Sequence, residues 1–139
     1  MRVFVLRADY GRYTDTFKHH NYVGIGWFEE TNPFEESWDL EDKDFLKERY
    51  REKYPSDPNM RMNQNVGQIY RFINEIKEGD IIISPYNTNH LLIGRVKSEM
   101  YYENDETSPY PWRKKVEWLK DEVNRREFSQ PLQNTLRAT

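Results

Sequence analysis

The stretch Val66-Gly-Gln-Ile-Tyr-Arg-Phe-Ile-Asn-Glu-Ile-Lys-Glu-Gly-Asp-Ile-Ile-Ile-Ser-Pro85 decides the fold class. In its first half, Val66, Ile69, Tyr70, Ile73 and Ile76 recur at three- and four-residue spacing, which places them on one face of a helix. Lys77-Glu-Gly-Asp80 breaks that period, and Ile81-Ile-Ile83 follows as an unbroken apolar run, the pattern of a strand buried on both faces. Ser84-Pro-Tyr-Asn-Thr-Asn89 reads as a turn, and Leu91-Leu-Ile-Gly-Arg-Val96 as the next strand. A helix feeding directly into paired strands specifies a mixed α+β domain.

Working outward, residues 2–7 form a Val-, Phe- and Leu-rich strand, and residues 13–21 a short helix. Tyr22-Val-Gly-Ile-Gly-Trp27 is a strand whose glycines mark a bulge or a close backbone approach. Residues 39–50 are predicted helical, with Leu40, Phe45, Leu46 and Tyr50 facing the core; Pro55 and Pro58 end that helix. Tyr101-Tyr102 continues or re-pairs the sheet, and Arg113-Lys-Lys-Val-Glu-Trp118 alternates as a last strand. Short helical turns are expected in 124–129 and 131–136. The sum is five or six strands in a curled mixed sheet or small barrel, with two or three flanking helices.

The 139 residues fit one domain, 1–139, with a charged surface (32%) around an aromatic-rich interior (15%). The chain has no cysteine, which excludes disulfides and thiolate metal sites, and its apolar runs fall short of the roughly 20 residues of a membrane span. With no signal-peptide pattern at its start, it reads as soluble and cytoplasmic. The net charge of −3 is uneven. Residues 29–52 hold ten acids and four bases, a balance of −6, which leaves the rest of the chain at +3. Phosphate binding needs a local basic surface rather than a basic chain, so charge alone does not decide between a nucleic-acid partner and an ordinary solvated surface.

Catalytic signatures are absent from the sequence. It lacks G-x-S-x-G, a Walker loop, H-E-x-x-H and any thiol; His19 and His20 are adjacent, and His90 stands alone. Asp80 has no carboxylate-x-lysine partner after it, and Glu117 is one residue too far from Lys120. A binding module with neither metal nor cofactor is the expectation. The aromatics carry more information. Trp27, Tyr86, Tyr101, Tyr102, Tyr110 and Trp112 fall at strand ends and in loops, where rings can stack on a planar ligand. For any one of them, capping the open end of a barrel is the alternative. Arg95, Lys97, Arg113, Lys114, Lys115, Arg125 and Arg126 form a basic series around them. A base-flipping reader combines such elements, with phosphate contacts fixing register while an extruded base is stacked and read at its edge.

The ordered series Val5-Leu-Arg-Ala8, Val23-Gly-Ile-Gly-Trp27, Val66-Gly-Gln-Ile-Tyr-Arg-Phe72, Lys77-Glu-Gly-Asp80, Leu92-Ile-Gly-Arg-Val96, Arg113-Lys-Lys-Val-Glu-Trp118 and Phe128-Ser-Gln-Pro131 resembles one family. That family is the EVE/PUA-like, YTH-related domain leading Mrr-like restriction endonucleases and McrB-like restriction GTPases. The resemblance runs through nearly the whole chain and implies a PUA-like barrel that reads DNA by holding a flipped, modified base in an aromatic cage. It also implies a phage-defence restriction system whose nuclease or GTPase effector lies on a longer parent chain. Carried over, Trp27 resembles the first cage wall and Trp112 the second, with Tyr102 and Tyr110 as substitutes. Ser84, Pro85, Tyr86 and Asn87 resemble the base-edge turn, and Arg7, Gln68, Ser129 and Gln130 the pocket frame. The acidic stretch 29–52 departs from that pattern and is expected to face away from DNA. An RNA-binding or regulatory domain sensing a modified nucleotide is the alternative, and a small hydrolase a third reading.

Overall fold

The long apolar face of 59–76 and the strand run that follows it organise the molecule. The structure, a computed structural model, describes residues 1–6, 12–85 and 89–124, with 120–124 described in backbone only. Among these the order is β1 (Val3–Val5), α1 (Thr14–His20), β2 (Tyr22–Ile25), α2 (Lys43–Lys53), α3 (Asn59–Tyr70), a π-helical turn (Arg71–Glu75), β3 (Ile81–Pro85), β4 (His90–Val96), β5 (Tyr101–Tyr102) and β6 (Trp112–Asn124).

The six strands form one sheet in the order β1-β3-β4-β6-β2, with β5 added to β6. β1 runs parallel to β3 and the remaining pairs are antiparallel. The 13-residue β6 is the spine. Its first half pairs with β2 and β5, and its second half with β4 through a bulged register. One strand serving two neighbours curls the sheet. Among the described residues β1 and β2 do not meet, so the curl stays unclosed rather than forming a barrel. The result is a mixed α+β fold with a six-stranded curled sheet and three helices.

The helices follow from their caps and faces. The Asp42 carboxylate accepts the N–H groups of Asp44 and Phe45 and so starts α2. α3 begins after Pro58 and buries Met62, Val66 and Ile69, while the π turn continues that face through Phe72. The Lys77-Glu-Gly-Asp80 junction is a clamp. Gly79 takes φ 94°, and the buried Asp80 carboxylate accepts the N–H groups of Lys77 (2.8 Å) and Arg2 (2.9 Å), which hold it below the usual carboxylate range. It thereby locks the helix end to the first strand.

Three sequence expectations change. Ser84 and Pro85 complete β3, and both are buried, where a turn was expected to begin at Ser84. The helix expected to open at residue 39 starts at Lys43, because Asp42 caps it. β6 runs six residues past Trp118, so residue 124, expected to open a helical turn, is strand. The other turns expected in 124–136 lie outside the described residues.

Candidate functional site

β2 carries Val23, Gly24 and Ile25 into the core and ends there. The chain then reverses through Gly26, Trp27 and Phe28. Phe28 has φ 57°, a backbone conformation that side chains with a Cβ rarely adopt. This reversal sends Phe28 inward, fully buried and stacked on Trp112 (centroids 5.6 Å, 27°), and leaves Trp27 half-buried at the rim of a cleft. Tyr54 Oη accepts the Phe28 N–H at 3.1 Å and secures the reversal. Such local strain concentrates where a side chain must be presented rather than packed.

The cleft is about 390 Å³ and draws on separate parts of the chain: Leu6 after β1, Tyr13 before α1, Gly24 to Trp27 and Glu29, Gln68 of α3, and Pro109-Tyr110 before β6. Its size falls in the roughly 300–1,000 Å³ range of small-molecule sites. Gly24 in β2 and Gly26 just after it are part of its construction. A Cβ on Gly26 would stand 2.6 Å from Tyr110 Cε1, and one on Gly24 would stand 2.9 Å from Tyr110 Cβ. Only bare backbone at both positions lets Tyr110 lie against β2. Tyr13 meets that ring edge-on at 5.0 Å, so Tyr13, Trp27 and Tyr110 are the aromatic walls. A second cavity, about 440 Å³, lies between the π turn and Met100 and includes Lys114; among the described residues its one aromatic lining residue is the exposed Phe34.

The structure brings together Trp27, Tyr110 and Gln68 of the expected site, and it corrects several other assignments. Trp112 is fully buried, and its Nε1–H donates to the Thr31 carbonyl at 2.9 Å, so it has no face to offer a ligand. Tyr110, held as a substitute, lines the cleft instead. Tyr102 is half-buried and does not itself line the cleft; its hydroxyl donates to the carbonyl of Glu29. Ser84 and Pro85 are strand residues that do not line the cleft; the Pro85 carbonyl accepts the Thr14 hydroxyl. Tyr86, Asn87, Arg7, Ser129, Gln130, Arg125 and Arg126 lie outside the described residues.

The basic series divides. Arg113 and Lys114, expected at a DNA-facing rim, are each only 1% exposed. Arg113 grips Asp105 with two N–H donors (2.8 and 2.9 Å), donates a third to the Tyr110 carbonyl, and stacks 4.1 Å from the Tyr22 ring. The Asp105 carboxyl is consequently held far below its usual range. Lys114 donates to the Ile76 carbonyl at the end of the π turn, and burial lowers its ammonium to about 8, with Lys77 pushing the same way. Neither side chain can reach a phosphate from there. Lys97 and Lys115 are exposed and adjacent, since the Lys97 N–H bonds the Lys115 carbonyl; Arg95 is half-buried on β4. Lys115 opposes Tyr22, three residues along β2 from Ile25, which is about 10 Å from the cleft end of that strand.

Among the cleft residues that sequence reasoning missed are Tyr13 and Glu29. Tyr13 was read as the first residue of a helix; no local pattern marks it as a wall. Glu29, the first acid of the stretch expected to face away, lines the cleft. Among the described residues no base or hydrogen bond engages its carboxylate. Arg12 stands beside Tyr13, its guanidinium 5.9 Å from the ring centroid. Among the described residues no group of three or more His, Asp or Glu is placed to hold a metal ion, and no helix is long and apolar enough to cross a membrane.

No curated protein and no solved structure matches the chain. Residues 6–138 match the family described as Domain of unknown function (DUF8426), and the chain belongs to that family.

Proposed function

We propose that this chain is a nucleic-acid-reading module of PUA-like character, which takes one extruded, modified base of DNA into the Trp27–Tyr110–Tyr13 cleft. The observation that carries this reading is the cleft itself, with three aromatic walls around a glycine floor and two polar side chains, Glu29 and Gln68, at hand for a base edge. Stacking contributes about 1–3 kcal/mol per base, close to the few kcal/mol that unstacking costs, so small differences at the base edge decide occupancy. Lys97 and Lys115 supply phosphate contacts roughly three nucleotides from the base, at about 3.4 Å per nucleotide of one strand. On this reading the chain is a specificity domain that recruits an effector, such as the nuclease of a restriction system, and has no turnover of its own.

Fluorescence anisotropy at fixed moderate salt, with one duplex carrying each common base modification in turn, tests it. A preference for a modified duplex that disappears in Trp27→Ala, while salt-sensitive background binding persists, is the expected result. Equal loss of binding to modified and plain DNA in that variant rules out the cage.

One observation favours a second reading. With Arg113 and Lys114 buried, only Lys97 and Lys115 of the expected basic series are exposed among the described residues, which suits a sensor of a free or single-stranded modified nucleotide. Matched RNA and DNA competitors, and the mononucleotide alone, separate the two readings, since an RNA reader depends on the 2′-hydroxyl.

A further inference from the structure

The cleft holds an electrostatic asymmetry that bears on which base it accepts. Among the described residues its lining includes one ionised side chain, the Glu29 carboxylate, and no lysine or arginine. Glu29 is exposed, and no ion pair or hydrogen bond among the described residues engages its carboxylate. By contrast, neighbouring Glu30 lies 3.7 Å from the Lys53 ammonium. The other walls are the rings of Tyr13, Trp27 and Tyr110, whose faces carry the negative lobes of their quadrupoles. The Tyr13 ring already draws a cation, the Arg12 guanidinium 5.9 Å from its centroid. Aromatic faces together with an unneutralised carboxylate form a site of negative potential, which is the arrangement that recognises delocalised or quaternary cations.

A neutral base gains only stacking and edge hydrogen bonds here. A base whose ring bears a fixed positive charge gains, in addition, cation–π attraction to the walls and Coulomb attraction to Glu29. Arg12 opposes this; solvent screens both exposed charges, but Glu29 lines the cleft and Arg12 is not among its described lining residues.

We propose that the Trp27–Tyr110–Tyr13 cleft, with Glu29, selects a base made cationic by alkylation on a ring nitrogen over an isomer alkylated elsewhere and neutral. This inference rests on the base-binding reading above and names its ligand class.

The test uses isomer pairs of equal size and opposite charge state: 1-methyladenosine against N6-methyladenosine, and 3-methylcytidine against 5-methylcytidine. Each is titrated into the protein near neutral pH with tryptophan fluorescence and calorimetry as readouts. The cationic isomer of each pair is expected to bind about tenfold more tightly. Glu29→Gln, which keeps the size and leaves an exposed position uncharged, should remove most of that margin, with the cationic isomer of each pair losing more affinity than the neutral one. Circular dichroism confirms that the variant is folded. Isomers that bind equally, both dependently on Trp27, overturn the charge selection and leave the base-binding reading standing. Binding of neither isomer in wild type overturns both. A trimethyl-lysine peptide that binds more tightly than any of the nucleosides also overturns the proposal, because it makes the site a cage for a peptide cation.

Discussion

Replacing Gly26 by alanine puts one methyl group into the contact on which the cleft is built. The new Cβ would lie 2.6 Å from Tyr110 Cε1, 3.2 Å from Cδ1 and 3.4 Å from Cζ. Restoring an ordinary separation near 3.4 Å requires the ring to move by about 0.8 Å at Cε1. Inward movement is blocked, because Tyr110 is 8% exposed and packs on Phe17 at 6.0 Å as well as on Tyr13. The ring lines the cleft, so any displacement of Tyr110 alters the cleft's shape. Gly26→Ala is therefore expected to cost about 1–2 kcal/mol of stability, the lower part of the overpacking range, and to weaken ligand binding at least tenfold by reshaping the space that the ligand uses. Gly24→Ala makes the informative contrast. There the clash is with Tyr110 Cβ at 2.9 Å and with two backbone carbonyl oxygens, at 3.2 and 3.3 Å, none of which can swing aside. Its stability loss should be larger, about 2–3 kcal/mol or more. Urea denaturation of the three proteins gives the stabilities, and titration with the best-binding nucleoside gives the affinities. A Gly26→Ala protein with wild-type affinity and wild-type stability would refute the account of how Tyr110 is held.

Two further predictions concern the buried charges. The Lys114 ammonium is lowered from 10.5 to about 8 by burial, so above pH 8 the unfolded chain binds more protons than the folded one, and stability rises with pH until the unfolded value is reached. The rise between about pH 7.5 and 9.5 amounts to about 2 kcal/mol; urea midpoints across that window should show it in the wild type, and Lys114→Met should abolish it. For Asp105 the sign is opposite. Its carboxyl is held low by Arg113, so its contribution is present above the unfolded value and is lost as pH falls below it. Asp105→Asn leaves the Arg113 fork without its carboxylate, and because Asp105 is partly solvated the expected loss at neutral pH is about 1–2 kcal/mol, measured by the same urea titrations.

What was legible in the sequence follows the range of the interactions involved. α3 and β3 were readable because their signals are local: a 3.6-residue period, then an unbroken apolar run, with a glycine and an acid between them. Gly24 and Gly26 correctly announced a close approach, although not that the visitor would be Tyr110, some 85 residues away. Arg113 and Lys114 were misread for a physical reason. A basic pair on an alternating strand ordinarily has one member in water, and nothing near it in the sequence shows that β6 runs through the middle of the sheet. The partners that make burial tolerable are Asp105, eight residues upstream, and the Ile76 carbonyl, 38 residues upstream. Trp112 was misread on the same ground: its burial depends on the Thr31 carbonyl and the Phe28 ring, both brought by the reversal after Trp27.

That reversal links the two tryptophans in opposite roles. Because Phe28 accepts a left-handed backbone, its ring turns inward to stack on Trp112, and Trp27 is left at the rim. The buried tryptophan and the half-exposed one are thus set by a single backbone dihedral, with the core contact of Phe28 opposing the strain that presents Trp27. The walls of the cleft are held by the core through the same short segments: Tyr110 stands two residues before Trp112, and its carbonyl takes a proton donor from Arg113. Core and cleft are therefore mechanically coupled at residues 26–28 and 110–113. The cleft wall contributed by Tyr110 is anchored through its carbonyl to the buried Arg113 guanidinium, so loosening Arg113 should be felt in the cleft before it is felt in the helices.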